Sequence, residues 1–103
     1  MTKIVAVTAC IAGIAHTYMA AENLKKYAKK EGILIKVETQ GAMGIEDKLK
    51  KSDIEDADVV IFAVDTTVQG ANRFEGKKIL KVGTSSVVKD GKSAIDDAVR
   101  MVE

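Results

Sequence analysis

The chain has no proline, and only one cysteine and one histidine among 103 residues. The lack of proline argues against a stiff hinge or an extended tail. A lone cysteine, Cys10, cannot close an internal disulfide. With one cysteine and one histidine, a zinc site built from protein alone would need carboxylates to complete it, and no suitable spacing occurs. No metal and no cofactor are therefore expected. No run of about 18 apolar residues is present, so nothing reads as a membrane-spanning helix. Met1-Thr2-Lys3 leads straight into a strand-like stretch, without the apolar region and small-residue cleavage site of a secretory signal. A free thiol and no export signal point to the reducing cytosol. The net charge is +1, which gives no electrostatic reason to expect nucleic acid as a partner.

What is present suits one compact domain over residues 1–103. Hydrophobic residues make up 47% and charged residues 30%, enough for a core and a solvated surface. Lys3 to Thr8 is a short, β-branched apolar run and reads as a buried strand. A loop of small residues, Ala9 to Ala15, follows it. A helix is expected from about Ala15 to Glu31, with Ala20, Ala21, Leu24 and Ala28 forming one stripe. Lys25, Lys26, Lys29 and Lys30 lie mostly off that stripe, as a solvated face. Gly32 suits the helix stop.

Ile33 to Thr39 reads as a second strand, its Lys36 and Glu38 giving a partly wet face as at a sheet edge. Gln40 to Gly44 reads as a loop, and Ile45 to Lys51 as a short helix, with Ser52 or Asp53 capping another turn. Asp58 to Val64 is the most continuous apolar strand. Asp65 to Asn72 reads as loop or short helix, and Ile79 to Val82 as a fourth strand. The last helix is expected over Ser93 to Val102, with Ile95, Ala98, Val99 and Val102 inward. Alternation of this kind predicts an α/β fold: an open four-stranded parallel sheet, order 2-1-3-4, with helices on both faces. The functional crevice of such a sheet lies at the carboxyl ends of the strands, where the winding reverses. That point falls on the loop after strand 1.

This loop reads Ala9-Cys10-Ile11-Ala12-Gly13-Ile14-Ala15-His16-Thr17. It leaves a buried strand and opens a helix, where unpaired backbone N–H groups meet the positive end of the helix dipole. Such a loop can cradle an anion. Ala12, Gly13 and Ala15 are small enough for the backbone to wrap a phosphoryl group. Cys10 lies at the centre of the cradle. The same N–H groups would stabilise its thiolate, a nucleophile able to hold a covalent intermediate between two half-reactions. They would also aim at the oxygens of a transferring phosphoryl group. Residues Ile11 to Thr17 are thus the candidate phosphate-binding set around a catalytic Cys10. His16 either helps bind the phosphoryl group or caps the helix with its ring. Thr17 either caps the helix or donates to a phosphoryl oxygen. The bland alternative for Cys10 is a small buried hydrophobe.

Cys-x5-Arg is the loop signature of tyrosine phosphatases, and this phosphatase-like loop has His16 where the arginine would stand. Arginine grips phosphoryl oxygens bidentately. Its absence weakens a phosphatase reading and suits a carrier, whose phosphocysteine must resist water until its acceptor arrives. A phosphate-binding module and a redox-sensing thiol use the same features.

Cys10 to Glu22, C-I-A-G-I-A-H-T-Y-M-A-A-E, resembles the active-site loop of fructose-family enzyme IIB. That is the cytoplasmic B component of the bacterial phosphoenolpyruvate-dependent sugar phosphotransferase system. Val37 to Gly41 (V-E-T-Q-G), Ala57 to Asp65 and Arg73 to Lys77 (R-F-x-G-K) match further, in the same order. The resemblance implies that Cys10 takes a phosphoryl group from phosphohistidine of the enzyme IIA component. Cys10 would then pass it to a sugar, fructose by analogy, held by the membrane-embedded enzyme IIC component. It implies a protein that works at the inner face of the membrane through that C component. One departure is local: the family usually has Pro-Thr after the cysteine, where Ile11-Ala12 stands here. Losing the proline frees φ and adds an N–H; losing the threonine removes a hydroxyl. Asp65, at the end of the third strand near the same crevice, caps a following turn in preference to shaping the loop or repelling a premature anion. Gln40 and Gly41, at the end of the second strand, read as a turn in preference to a partner contact, Arg73 and Phe74 as packing or partner contacts, and Tyr18 and Met19 as docking residues or cover for the core.

Overall fold

The computed structural model describes residues 2–10 and 14–102. Strand β1 (Lys3–Ala9) leads to helix α1 (Ile14–Lys30), then to strands β2 (Leu34–Gly41) and β3 (Gly44–Glu46). Helix α2 (Lys51–Asp56) and strand β4 (Val59–Val64) follow, then a single 3₁₀ turn (Ala71–Phe74). Strand β5 (Ile79–Val82) and helices α3 (Thr84–Lys89) and α4 (Gly91–Arg100) complete the described chain.

The sheet has five strands in the order β3-β2-β1-β4-β5. β1 pairs in parallel with β2 and with β4, and β4 in parallel with β5. The expectation of four strands is corrected by β3, which runs antiparallel beside β2 and pairs Ile45 with Gln40. It forms where a short helix from Ile45 was expected. Gly44 sits at φ +89, a conformation open to glycine, so the chain turns back within two residues and pairs along β2. Helix begins only at Lys51, and the Asp53 carboxylate accepts the Lys50 amide at 3.0 Å. It therefore caps from within the first turn. A second correction lies near the C-terminal end. Thr84–Lys89 is a helix in its own right, and α4 starts at Gly91, where the Asp90 carboxylate accepts the Ser93 amide at 3.0 Å.

β1 alternates between two cores. Ile4 and Ala6 meet Ala20, Ala21, Leu24 and Ala28 of α1, Val87 of α3, and Ile95 and Ala98 of α4. Val5, Val7 and Ala9 meet Leu49, Ile54, Phe62 and Phe74 on the opposite face. The rings of Phe62 and Phe74 pack edge to face, centroids 5.2 Å apart. Full burial of side chains such as Leu24 or Ile95 contributes about 1.5–3 kcal/mol each. The α1 stripe expected from its spacing is the buried face. Helices thus cover one face of the sheet with α1, α3 and α4, and the other with α2 and the 3₁₀ turn.

Candidate active site

β1 is the strand from which the winding diverges: β2 lies on one side of it and β4 on the other. At its carboxyl end Ala9 stands level with Gln40 of β2 and Val64 of β4. The Asp65 amide donates to the Ala9 carbonyl at 3.0 Å, which carries the pairing one step past β4. Cys10 follows directly and is half-buried. A cavity of about 200 Å³ opens beside it, lined by Cys10, Gln40, Gly41, Ala42, Thr66 and Gln69 among others. A binding crevice in this place is what an open parallel sheet provides.

Asp65 lies within reach of the thiol. Its carboxylate accepts the amide of Thr84 at 3.2 Å and also the Thr84 hydroxyl. The Thr84 hydroxyl bond is the largest influence holding the carboxyl below the usual aspartate range. Partial burial opposes it. The Thr84 amide, a hydrogen bond from the Cys10 thiol and the charge of His16 assist. Asp65 therefore does cap a turn, but one in the β5–α3 connection, and it contacts the cysteine as well.

The other expected site residues divide. Ile11, Ala12 and Gly13 lie outside the described residues. Ile14 is the first residue of α1. Ala15 and His16 are exposed on its first turn, and Thr17 is fully buried. A Cβ added at Gly41 would stand 3.8 Å from the Thr17 hydroxyl oxygen, so the first turn of α1 packs closely on the end of β2. The Tyr18 hydroxyl donates to the Glu46 carboxylate of β3, and Met19 is exposed beside it.

Three residues take places that the sequence did not suggest. Gln40 and Gly41 belong to β2 rather than to a turn, and the Gln40 side chain is buried. Glu38, expected on a wet face, is completely buried. Arg73 reaches it with two parallel hydrogen bonds of 2.9 Å each. Burial opposes ionisation of Glu38. The bonds from Arg73, Gln40 and the Leu49 amide outweigh it and hold the carboxyl below the usual range. The signal in the sequence was slight: Glu38 and Gln40 are two apart, so they share one face of a strand whose end is otherwise apolar and small.

A family model described as "PTS system, Lactose/Cellobiose specific IIB subunit" matches residues 5–97. The chain belongs to the PTS IIB family. A "PTS system fructose-like EIIB component 2" of Escherichia coli (strain K12) is 52% identical over 89 residues, covering 86% of this chain and 84% of that one. A "PTS system fructose-specific EIIABC component" of Bacillus subtilis (strain 168) is 47% identical over 97 residues. That match covers 94% of this chain and 15% of the relative, whose name joins A, B and C components in one chain. A domain of a fructose-specific IIABC component from Borrelia burgdorferi superposes with a TM-score of 0.91 at 46% identity. It covers 96% of this chain and 94% of that domain. The IIB family resemblance of the Cys10–Glu22 segment and its companions is thus met by the comparisons. Membership carries a phosphoryl-transfer role in sugar uptake. Among the described residues, no helix is long and apolar enough to cross a membrane.

Proposed function

We propose that the whole chain is one IIB domain whose Cys10 carries a phosphoryl group from an enzyme IIA component to a sugar bound by an enzyme IIC component. In the first step the Cys10 sulfur attacks phosphorus as the N–P bond of the donor phosphohistidine breaks. The thiol gives up one proton and the departing imidazole gains one. In the second step a sugar hydroxyl attacks phosphorus, the S–P bond breaks, and the hydroxyl proton ends on the thiol.

The observation that carries this reading is the position of Cys10. It stands at the carboxyl end of the central strand, at the switch point, just before the N-terminus of α1 and open to a small polar cavity. Asp65, ionised through its bonds to Thr84, orients the thiol by accepting from it. Residues Ile11, Ala12, Gly13, Ile14, Ala15, His16 and Thr17 form the phosphate cradle in this account. A phosphatase would need a free guanidinium at the cysteine. His16 occupies the expected place, and the guanidinium of Arg73 is committed to Glu38.

The sugar is fructose in this reading, because the close relatives carry fructose in their names. The family model's description names lactose and cellobiose instead. The relatives weigh more, since their likeness is to this chain directly. The domain would act in the cytoplasm, at the inner face of the membrane that holds the C component.

Intact mass after incubation with phosphoenolpyruvate, the upstream phosphotransferase proteins and an A component tests the first step. Wild type should gain one phosphoryl group and Cys10→Ser none. An equal adduct on both proteins would remove Cys10 from the account.

A further inference from the structure

Loop 65–70 forms one wall of the Cys10 cavity through Thr66, Thr67 and Gln69. Past the Asp65 N–H bond to the Ala9 carbonyl, no ladder of backbone bonds fixes it. Side chains hold it instead. The Gln40 amide grips Gln69 at both ends: its oxygen accepts the Gln69 N–H at 2.8 Å, and its nitrogen donates to the Gln69 carbonyl at 3.0 Å. The Arg73 guanidinium donates to the same carbonyl at 3.1 Å and to the Gly70 carbonyl at 2.8 Å. Gln40 and Arg73 are themselves oriented by one group. The buried Glu38 carboxylate accepts from Gln40 at 2.7 Å and from Arg73 twice at 2.9 Å, while the Leu49 amide fixes its remaining side at 2.9 Å.

We infer that the Glu38–Arg73 pair is a clamp that positions the Cys10 cavity for transfer, by locking the Thr66–Gly70 segment onto Gln40. The inference rests on the carrier reading of Cys10. Neither member of the pair lines the cavity, so both are positioning residues. Bidentate geometry is the feature that matters. The guanidinium makes four bonds at once, two to Glu38 and one each to the Gln69 and Gly70 carbonyls, whereas an ammonium has three donors and no planar fork. Losing the clamp lets the wall shift, and a displacement of about 1 Å near reacting groups can cost on the order of 100-fold in rate.

Two variants test the clamp: Arg73→Lys, which keeps the charge, and the double change Glu38→Met with Arg73→Met, which leaves no buried charge unpaired. Single-turnover phosphorylation by a phosphorylated A component is followed beside amide hydrogen exchange of residues 66–70. The clamp predicts that both variants melt cooperatively and exchange faster at 66–70. Their transfer rate at saturating donor should fall about 10- to 100-fold, while the half-saturating donor concentration stays the same. Wild-type transfer rates, or unchanged exchange at 66–70, would overturn it. If wild type itself accepts no phosphoryl group, the carrier reading has failed rather than the clamp. Alkylation of Cys10 by iodoacetamide then decides: a changed rate in both variants supports the clamp and an unchanged rate overturns it.

Discussion

Asp65 at the end of β4 accepts the backbone N–H of Thr84, 19 residues further along the chain, at 3.2 Å. This contact ties the end of β4 to the start of α3 and stands next to the cysteine. A carboxyl depressed by folding stabilises the native state above its unfolded pKa. That stabilisation is lost as pH falls through the lower folded pKa. Asp65→Asn should therefore lower the urea midpoint at neutral pH, and the gap to wild type should close as pH falls below the ordinary aspartate range. Asp65 is exposed, so the loss should be modest, at most about 1 kcal/mol. A gap that widens on acidification would contradict the assignment.

Glu38 is a harsher case because it is completely buried. Arg73→Met leaves its carboxylate without the guanidinium, which should cost about 3–5 kcal/mol at neutral pH. Stripped of its partner, Glu38 would have its folded pKa raised above the unfolded value. The penalty should then shrink as pH falls through that raised pKa toward the ordinary carboxylate range, because the buried group binds a proton. Chemical denaturation of wild type and variant across pH measures this. A penalty independent of pH would mean that the charge of Glu38 is not the cause.

Gly70 and Gly32 both sit at φ +70 and differ in their surroundings. A Cβ at Gly70 would stand 2.7 Å from Arg73 Nε, which is itself bonded to the Gly70 carbonyl. A Cβ at Gly32 would meet nothing within 4 Å. Gly32→Ala should cost about 1 kcal/mol from backbone strain alone. Gly70→Ala should cost clearly more and should loosen the 66–70 amides as well. Equal costs in thermal melts would show that Arg73 yields freely.

His16 lies on the exposed first turn of α1, near the Asp65 carboxylate. His16→Arg recreates a Cys-x5-Arg spacing. The variant should hydrolyse an aryl phosphate faster than wild type, since a guanidinium stabilises charge on the transferring group. Release of the phenol measures the gain. No gain would indicate that the loop geometry, rather than the arginine, separates this site from a phosphatase.

The parts of the fold visible in the sequence were those with a strong local period. The α1 stripe of Ala20, Ala21, Leu24 and Ala28 repeats at helical spacing, and the Val59–Val64 run is continuously apolar. β3 was hidden because its apolar Ile45 and the adjoining Met43 stand exposed at the sheet edge, so no inward-outward alternation marks it. Helix α3 was missed because its six residues, Thr84–Lys89, are too few to show a helical period. Within the candidate site, the placement of Cys10 between a strand and a helix was legible. The network around it was not. Glu38 read as a wet residue because its partner Arg73 lies 35 residues away, and only the folded chain brings them together. The cradle expected at Ile11, Ala12 and Gly13 lies outside the described residues.

The central claim is that Cys10 holds a phosphoryl group between two partners, and a chase of the phosphorylated protein tests it most directly. Phosphorylated protein, freed of donor, is mixed with membranes carrying the C component and labelled fructose, and both products are followed in time. The account predicts that the mass adduct on Cys10 disappears as fructose phosphate forms in equal amount, and that Cys10→Ser yields neither. Loss of the adduct as inorganic phosphate, with no phosphorylated sugar of any kind, would contradict it.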